Sequence, residues 1–100
     1  MNVQAKRTLQ EVRTSLSPEE TIAAARTFFV RRASIYAAFP ELQGPGYITF
    51  RGQGIEEIAI GAVYDGDATR VTGSSYLFDA QVARFLDSLP PAGPPGGAAA

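Results

Sequence analysis

The sequence predicts a small α+β domain of two layers, in which one antiparallel sheet is covered on one face by two helices. Three observations predict this fold. A helix-capping motif at residues 17–20 opens an amphipathic segment. Apolar and polar side chains alternate from residue 47 to residue 73 between short glycine-containing turns, as in a meander of strands. A second amphipathic segment ends at Pro90 and Pro91. The resulting element order is β-α-β-β-β-β-α.

Domain organisation follows from the length of the chain and from its C-terminal composition. A chain of 100 residues is typical of one domain, which we place at residues 1–89. Residues 90–100 consist of Pro, Gly and Ala and offer no large side chain to bury, so we expect a flexible tail there. Because so small a domain buries a modest share of its surface, association with a second copy would help to stabilise it.

Net charge and missing residue types restrict the possible functions. Nine Lys and Arg against ten Asp and Glu give a formal net charge of −1, so we expect no nucleic-acid partner. The sequence contains no Cys and no His, which removes thiolate chemistry, the commonest general base and the commonest transition-metal ligands. We therefore expect a non-enzymatic protein with no catalytic residues, no cofactor and no metal site.

The N-terminal sequence bears on localisation. It lacks the apolar region that is typical of a signal peptide. No stretch of the sequence approaches the roughly 20 apolar residues that a membrane-spanning helix needs. We expect a cytoplasmic protein with no membrane partner.

The first segment, residues 3–13, fits two structures. Val3 and Leu9 share the parity of a strand, whereas Leu9, Val12 and Leu16 would form one stripe of a helix. The Thr and Val content favours an edge strand, and a helix remains the alternative.

A helix is predicted over residues 18–32. Ser17 is a favourable N-cap, Pro18 suits the first helical position, and Glu20 completes a capping box. The apolar stripe of this helix, which should pack on the sheet, consists of Ile22, Ala25 and Phe29.

Strands are predicted over residues 34–39, 47–51, 55–64 and 67–73. Pro40 and the glycines that follow it are expected to end the first of these strands. Residues 52–54 should form a three-residue hairpin loop, and Asp65 and Gly66 a two-residue turn. Ser74 or Ser75 should cap a last helix over residues 76–89.

These turns predict which residues share a face of the sheet. The three-residue loop sets Arg51 opposite Ile55, and the two-residue turn sets Val63 opposite Ala68. Side chains alternate along each strand, so one face is predicted to be the core. Its members are Ile48, Phe50, Ile58, Ile60, Ala62 and Val71.

The opposite face is predicted to stay uncovered, and it carries the candidate interface. We expect Arg51 to approach Glu57, and Arg70 to lie over the small residues Ala59 and Gly61. This surface is either a solvated sheet face or a contact surface, and its apolar members favour contact because Tyr and Arg are common interface anchors. The candidate residues are Tyr47, Arg51, Ile55, Glu57, Val63 and Arg70.

The element order resembles the TATA-binding-protein-like repeat, and it is also similar to a minimal helix-grip domain of the START and Bet v 1 type. The resemblance covers residues 3–89 and concerns the order of elements, without a family motif. The first relative implies DNA on the open sheet face, where only Arg51 and Arg70 are basic and no Phe is placed to wedge between bases. The second implies a small apolar ligand held between the sheet and the last helix.

The favoured function is a non-enzymatic interaction module. It would form a homodimer, or dock onto another protein subunit, through the open sheet face. The alternative is a helix-grip carrier or enzyme for a small apolar ligand.

Overall fold

The computed structural model describes residues 8–32, 39–52, 57–76 and 78–93. Seven elements lie in these ranges, in the predicted order, and the predicted α+β class is confirmed. They are β1 (Thr8–Thr14), α1 (Pro18–Arg32), β2 (Phe39–Gly44), β3 (Tyr47–Arg51), β4 (Glu57–Asp65), β5 (Ala68–Tyr76) and α2 (Asp79–Ser88). The part of the first segment that the structure describes, residues 8–13, thus lies in a strand. Neither described helix is long and apolar enough to cross a membrane.

The five strands form one sheet in the order β1-β5-β4-β3-β2, and every neighbouring pair is antiparallel. Strands β2 to β5 make the predicted meander, and β1 joins it beside β5. Because β1 and β2 lie at opposite edges, α1 connects one edge of the sheet to the other. Arg26 on α1 donates a hydrogen bond from Nη1 to Oε1 of Gln43 on β2, 3.1 Å away.

The capping box at the start of α1 is formed as predicted. The backbone N–H of Glu20 donates to Oγ of Ser17 at 3.1 Å, and the backbone N–H of Ser17 donates to Oε1 of Glu20 at 2.8 Å. Each side chain thus satisfies a backbone donor that the helix itself leaves without a partner.

Replacing Ser17 with Ala should lower the free energy of unfolding by about 1 kcal/mol, because the N–H of residue 20 loses its acceptor. Urea denaturation followed by circular dichroism would measure the change. Glu19 serves as a control, since it is exposed in the same turn and makes no hydrogen bond or ion pair with any described residue. An equal loss for Glu19→Ala would contradict the capping role.

Both helices pack on the face of the sheet that the sequence predicts to be the core. The Phe29 ring lies 5.1 Å from the Phe50 ring of β3 and 5.4 Å from the Phe85 ring of α2, between ring centroids. Phe28 extends this aromatic group, 5.5 Å from Phe85. All six predicted core residues of the sheet are buried, together with Ile22, Ala25, Phe29, Phe78, Val82, Phe85, Leu86 and Leu89 of the other segments.

The strand registers differ from the predicted ones by two residues in each hairpin. Arg51 pairs with Glu57 rather than Ile55, and Val63 pairs with Arg70 rather than Ala68. A shift of two residues keeps every side chain on its face, so the burial pattern is compatible with both registers. In the second hairpin the turn residues are Gly66 and Asp67, and Gly66 has the positive φ, 69°, that this first turn position favours.

Strand β2 begins where the sequence predicts a strand to end. Pro40 lies within β2, and the pairing with β3 is irregular between Pro40 and Leu42. Proline is tolerated here because β2 is an edge strand and carries a bulge. The expected break at Pro40 is therefore wrong. The predicted strand over residues 34–39 lies outside the described residues except for Phe39.

The C-terminal end of the fold also differs from the prediction. Strand β5 continues to Tyr76, so Ser74 and Ser75 lie in a strand and do not cap α2. The hydroxyl of Ser75 instead donates to Oδ1 of Asp79 at 2.6 Å. Beyond α2, the N–H of Ala92 donates to the carbonyl of Arg13 on β1 at 3.3 Å. The domain boundary at residue 89 remains a prediction.

Candidate interaction surface

The open face is the sheet face opposite α1 and α2, and the described part of the chain places no helix on it. Cross-strand pairing arranges its side chains in rows that run from one edge of the sheet to the other. One row contains Leu42, Thr49, Ala59, Ser74 and Leu9. The next row contains Gly44, Tyr47, Gly61, Thr72 and Glu11. Small side chains therefore occupy the middle of the face, and large apolar ones lie toward its edges.

Large apolar side chains are concentrated on the open face. The described part of the chain exposes seven of them, and five of these lie here with 47% to 70% of their surface exposed. A folded domain gains no stability from leaving such side chains in water. Their number on one face therefore distinguishes it from an ordinary solvated sheet face. They are Leu9, Phe39, Leu42, Tyr47 and Val63.

The ring of Tyr47 is held over the edge of this face by a glycine. Gly44 pairs with Tyr47 across β2 and β3, and a Cβ at Gly44 would come within 2.8 Å of Cζ of the tyrosine ring. The ring thus occupies the space that a side chain at residue 44 would need. An exposed aromatic ring thus lies against the backbone of the edge strand β2.

Where β3 ends, the guanidinium of Arg51 is bound to the carboxylate of Glu41, and Glu57 lies opposite Arg51 on β4. Nε of Arg51 donates to Oε2 of Glu41 at 2.9 Å, and its Nη2 lies 3.4 Å from Oε1 of the same residue. The hydrogen bond that Arg51 donates to Glu41, the charge of Glu41 and the charge of Glu57 raise the pKa of Arg51 above its ordinary value. Arg51 is thus a fixed positive charge, paired mainly with the edge strand β2.

At the end of the face where β4 finishes, two arginine residues are cross-strand neighbours. Arg13 on β1 pairs with Arg70 on β5. Nη2 of Arg13 donates to the backbone carbonyl of Asp65 at 3.1 Å, and its Nε lies 3.4 Å from Oδ2 of the same residue without forming a hydrogen bond. Arg70 is exposed and makes no ion pair with any described residue. Arg70 therefore presents its guanidinium to solvent on this face.

Five of the six candidate residues lie together on the open face: Tyr47, Arg51, Glu57, Val63 and Arg70. Ile55 lies outside the described residues. Arg51 lies opposite Glu57, as expected, although its hydrogen bonds go to Glu41. The expected position of Arg70 is wrong: it lies opposite Val63 and Arg13, because the two-residue register shift moves it away from Gly61.

The sequence analysis missed the members of this surface that lie on the two edge strands. Leu9 could have been recognised from the sequence, because Val12 packs on the core and Leu9, three residues away on the same strand, must then face the other side. Glu41 and Leu42 could not, since Pro40 argued against a strand beyond Phe39. Phe39 ended a predicted strand that was not assigned to the open face. Among the described residues, no group of three His, Cys, Asp or Glu side chains could hold a metal ion.

No protein-family model matches the sequence, and no curated protein matches it. A search of solved structures finds a similar chain in the solution structure of the Aha1 dimer from Colwellia psychrerythraea. The likeness has a TM-score of 0.55 at 12% sequence identity, and it covers 83% of this chain and 95% of the other. At this identity the likeness shows a related α+β fold, and it leaves the finer resemblance to TATA-binding repeats or helix-grip domains as a prediction.

Proposed function

We propose that this protein is a small non-enzymatic module that forms a homodimer through its open sheet face. The observation that carries the proposal is the concentration of exposed apolar side chains on that face, five of the seven in the described part of the chain. An exposed apolar patch with charged residues around it is typical of protein interfaces. Tyr47 and Val63 lie on the inner strands β3 and β4 and would be the anchors of this surface.

The size of the face supports a dimer of modest affinity. Strands about 4.8 Å apart and rows about 6.8 Å apart give five strands and four rows an extent of roughly 20 by 20 Å. Standard stable interfaces bury about 800 Å² of accessible surface on each partner. The open face covers about 400 Å² in outline, roughly half of that figure, so we expect a weak, concentration-dependent dimer with a dissociation constant in the micromolar range.

Two further observations favour this function. The solved structure with the similar fold is described as a dimer, so an α+β domain of this kind can self-associate. The sequence contains no His and no Cys, which supports a role without catalysis. A ligand carrier is less well supported, because the rings of Phe28, Phe29, Phe50 and Phe85 contact one another between the sheet and the helices.

Replacing Val63 with Glu should shift the protein to a monomer at concentrations where the unmodified chain is a dimer. A carboxylate in place of this apolar side chain on β4 would lose its hydration on association without gaining a partner. Sedimentation velocity across a range of concentrations would measure the change.

Val30→Glu is a matched control for this experiment. Val30 and Val63 are each 48% exposed, but Val30 lies on the outer side of α1 and away from the open face. The proposal requires Val30→Glu to remain a dimer. It would be abandoned if the unmodified chain stayed monomeric at high concentration, or if both variants dimerised like the parent.

A further inference from the structure

The outer edge of β1 is partly covered by the chain that follows α2. Residues 90–92, which we call the C-terminal segment, lie antiparallel to β1, with Pro91 opposite Thr14. Two backbone hydrogen bonds, each 3.3 Å long, hold the segment there. They run from the N–H of Ser15 to the carbonyl of Pro90 and from the N–H of Ala92 to the carbonyl of Arg13. The segment thus lies where a further strand of the sheet would lie.

The rest of the β1 edge carries backbone groups without a partner among the described residues. In an antiparallel sheet, every second residue of an edge strand points its N–H and its carbonyl away from the sheet. The carbonyl of Arg13 points outward, so the backbone groups of Leu9 and Glu11 do so too. A row of such groups is a template for a strand from another chain.

The opposite edge of the sheet is poorly suited to strand pairing. Pro40 lies in β2 and has no N–H, and the pairing of β2 with β3 is irregular between Pro40 and Leu42. Features of this kind discourage the addition of another strand. Strand β1, by contrast, pairs with β5 in an unbroken register over its whole length. The β1 edge is therefore the one that could accept a strand.

The charges on β1 indicate which strand it would accept. Glu11 is exposed and makes no ion pair with any described residue. Arg13 shares its face, and the Arg13 side chain is 37% exposed despite its contact with Asp65. If β1 of a second copy lies antiparallel with Val12 opposite Val12, Glu11 of each copy is opposite Arg13 of the other. Strand β1 is therefore complementary to itself in this register.

We propose that the β1 edge is a second self-association site, which the C-terminal segment keeps closed. The self-complementary register needs the carbonyl of Arg13 and the N–H of Ser15, and the segment occupies both. Opening the segment would allow two copies to join their sheets edge to edge. That contact leaves the open face uncovered, so it is separate from the proposed open-face dimer.

The segment is held by few hydrogen bonds, which allows it to open. Both backbone bonds are longer than the usual 2.9 to 3.0 Å or so. The hydroxyl of Thr14, which is fully buried, also donates to the carbonyl of Pro90. The net contribution of one hydrogen bond favours the closed segment by roughly fivefold. Because both copies must open, the loss of one bond in each should strengthen edge pairing about 25-fold.

Replacing Ala92 with Pro tests the proposal, because proline has no N–H to donate to Arg13. Ala92→Gly is the matched control, since it changes the same residue and keeps the N–H. Both changes would be made in the full chain carrying Val63→Glu, so that the open-face dimer does not contribute. Sedimentation velocity should show about 25-fold tighter association for Ala92→Pro than for Ala92→Gly. Equal association of the two variants would overturn the proposal.

Circular dichroism would confirm that each variant is folded. If the proline disturbs the fold, Thr14→Val provides the same test, because it removes the hydroxyl that donates to Pro90 and keeps the shape of the side chain. Thr14→Val should then also associate more tightly than the Val63→Glu parent, and unchanged association would count against the proposal.

Charge reversal tests the register. In the Ala92→Pro chain, Glu11→Arg would set two guanidinium groups against each other in both pairs and weaken association about tenfold. Adding Arg13→Glu to the same chain restores opposite charges, and association should recover. No difference between the single and the double reversal would overturn the pairing of β1 with β1. Val63→Glu alone tests the open-face dimer, so either association could fail while the other stands.

Discussion

Replacing Phe29 with Ala is expected to cost about 3 to 5 kcal/mol of unfolding free energy. The Phe29 side chain is 1% exposed, and its ring touches β3 through Phe50 and α2 through Phe85. Truncation would leave a cavity where both helices meet the sheet, and the surrounding rings cannot collapse into it without moving a helix. Urea denaturation followed by circular dichroism would measure the loss.

The size of the domain makes this change severe. Small domains are stable by about 0.05 to 0.15 kcal/mol per residue, so roughly 85 folded residues give about 4 to 13 kcal/mol in total. The loss expected for Phe29→Ala is a large part of that range. The variant should therefore unfold at a much lower urea concentration, or be partly unfolded without denaturant.

Phe39→Ala is the matched control for Phe29→Ala. It removes the same ring from an exposed position on β2, and we expect it to change the stability of the monomer by less than about 1 kcal/mol. Its effect should appear in association, because Phe39 lies on the open face. Equal losses of stability for the two variants would contradict the assignment of the faces.

The face on which each strand residue lies was predictable. Successive side chains of a strand point to opposite faces, so the buried residues follow the same alternation along the sequence. Ile48, Ile58 and Ile60 could only be buried together if their strands had one parity, and the structure buries all three. The register was not predictable from the same information, since a slip of two residues preserves that parity. It depends on which residues occupy each turn, and Asp65 proved to be the last residue of β4 rather than a turn residue.

The candidate surface was predictable where regular strands carry it. Tyr47, Val63 and Arg70 lie on strands with a clear alternation, and each is on the open face. Leu42 could not be found, because the edge strand tolerates Pro40 and its bulge breaks the alternation of side chains there. The partner of Arg51 was missed for the same reason, since Glu41 lies at that bulge.

Introducing a side chain at Gly73 is the second change for which we expect a large effect. Gly73 lies on β5 beneath α2, and a Cβ there would come within 2.6 Å of Cγ1 of Val82 and 3.3 Å of Cδ1 of Ile60. Both neighbours are buried, so neither can turn away into solvent. Gly73→Ala should therefore cost about 1 to 3 kcal/mol of unfolding free energy, and Gly73→Val more.

Gly61→Ala distinguishes this packing constraint from a general effect of replacing glycine in a strand. A Cβ at Gly61 would meet mainly Oγ1 of Thr72, at 2.9 Å, and that hydroxyl lies on the open face where it can rotate aside. Replacing glycine also restricts the unfolded chain, which favours folding by a fraction of a kcal/mol at either position. Urea denaturation should therefore show Gly61→Ala near the parent and Gly73→Ala far below it. If the two variants were equally stable, α2 could move away from β5 at little cost. The close packing of α2 on the sheet would then not be what holds the two layers together.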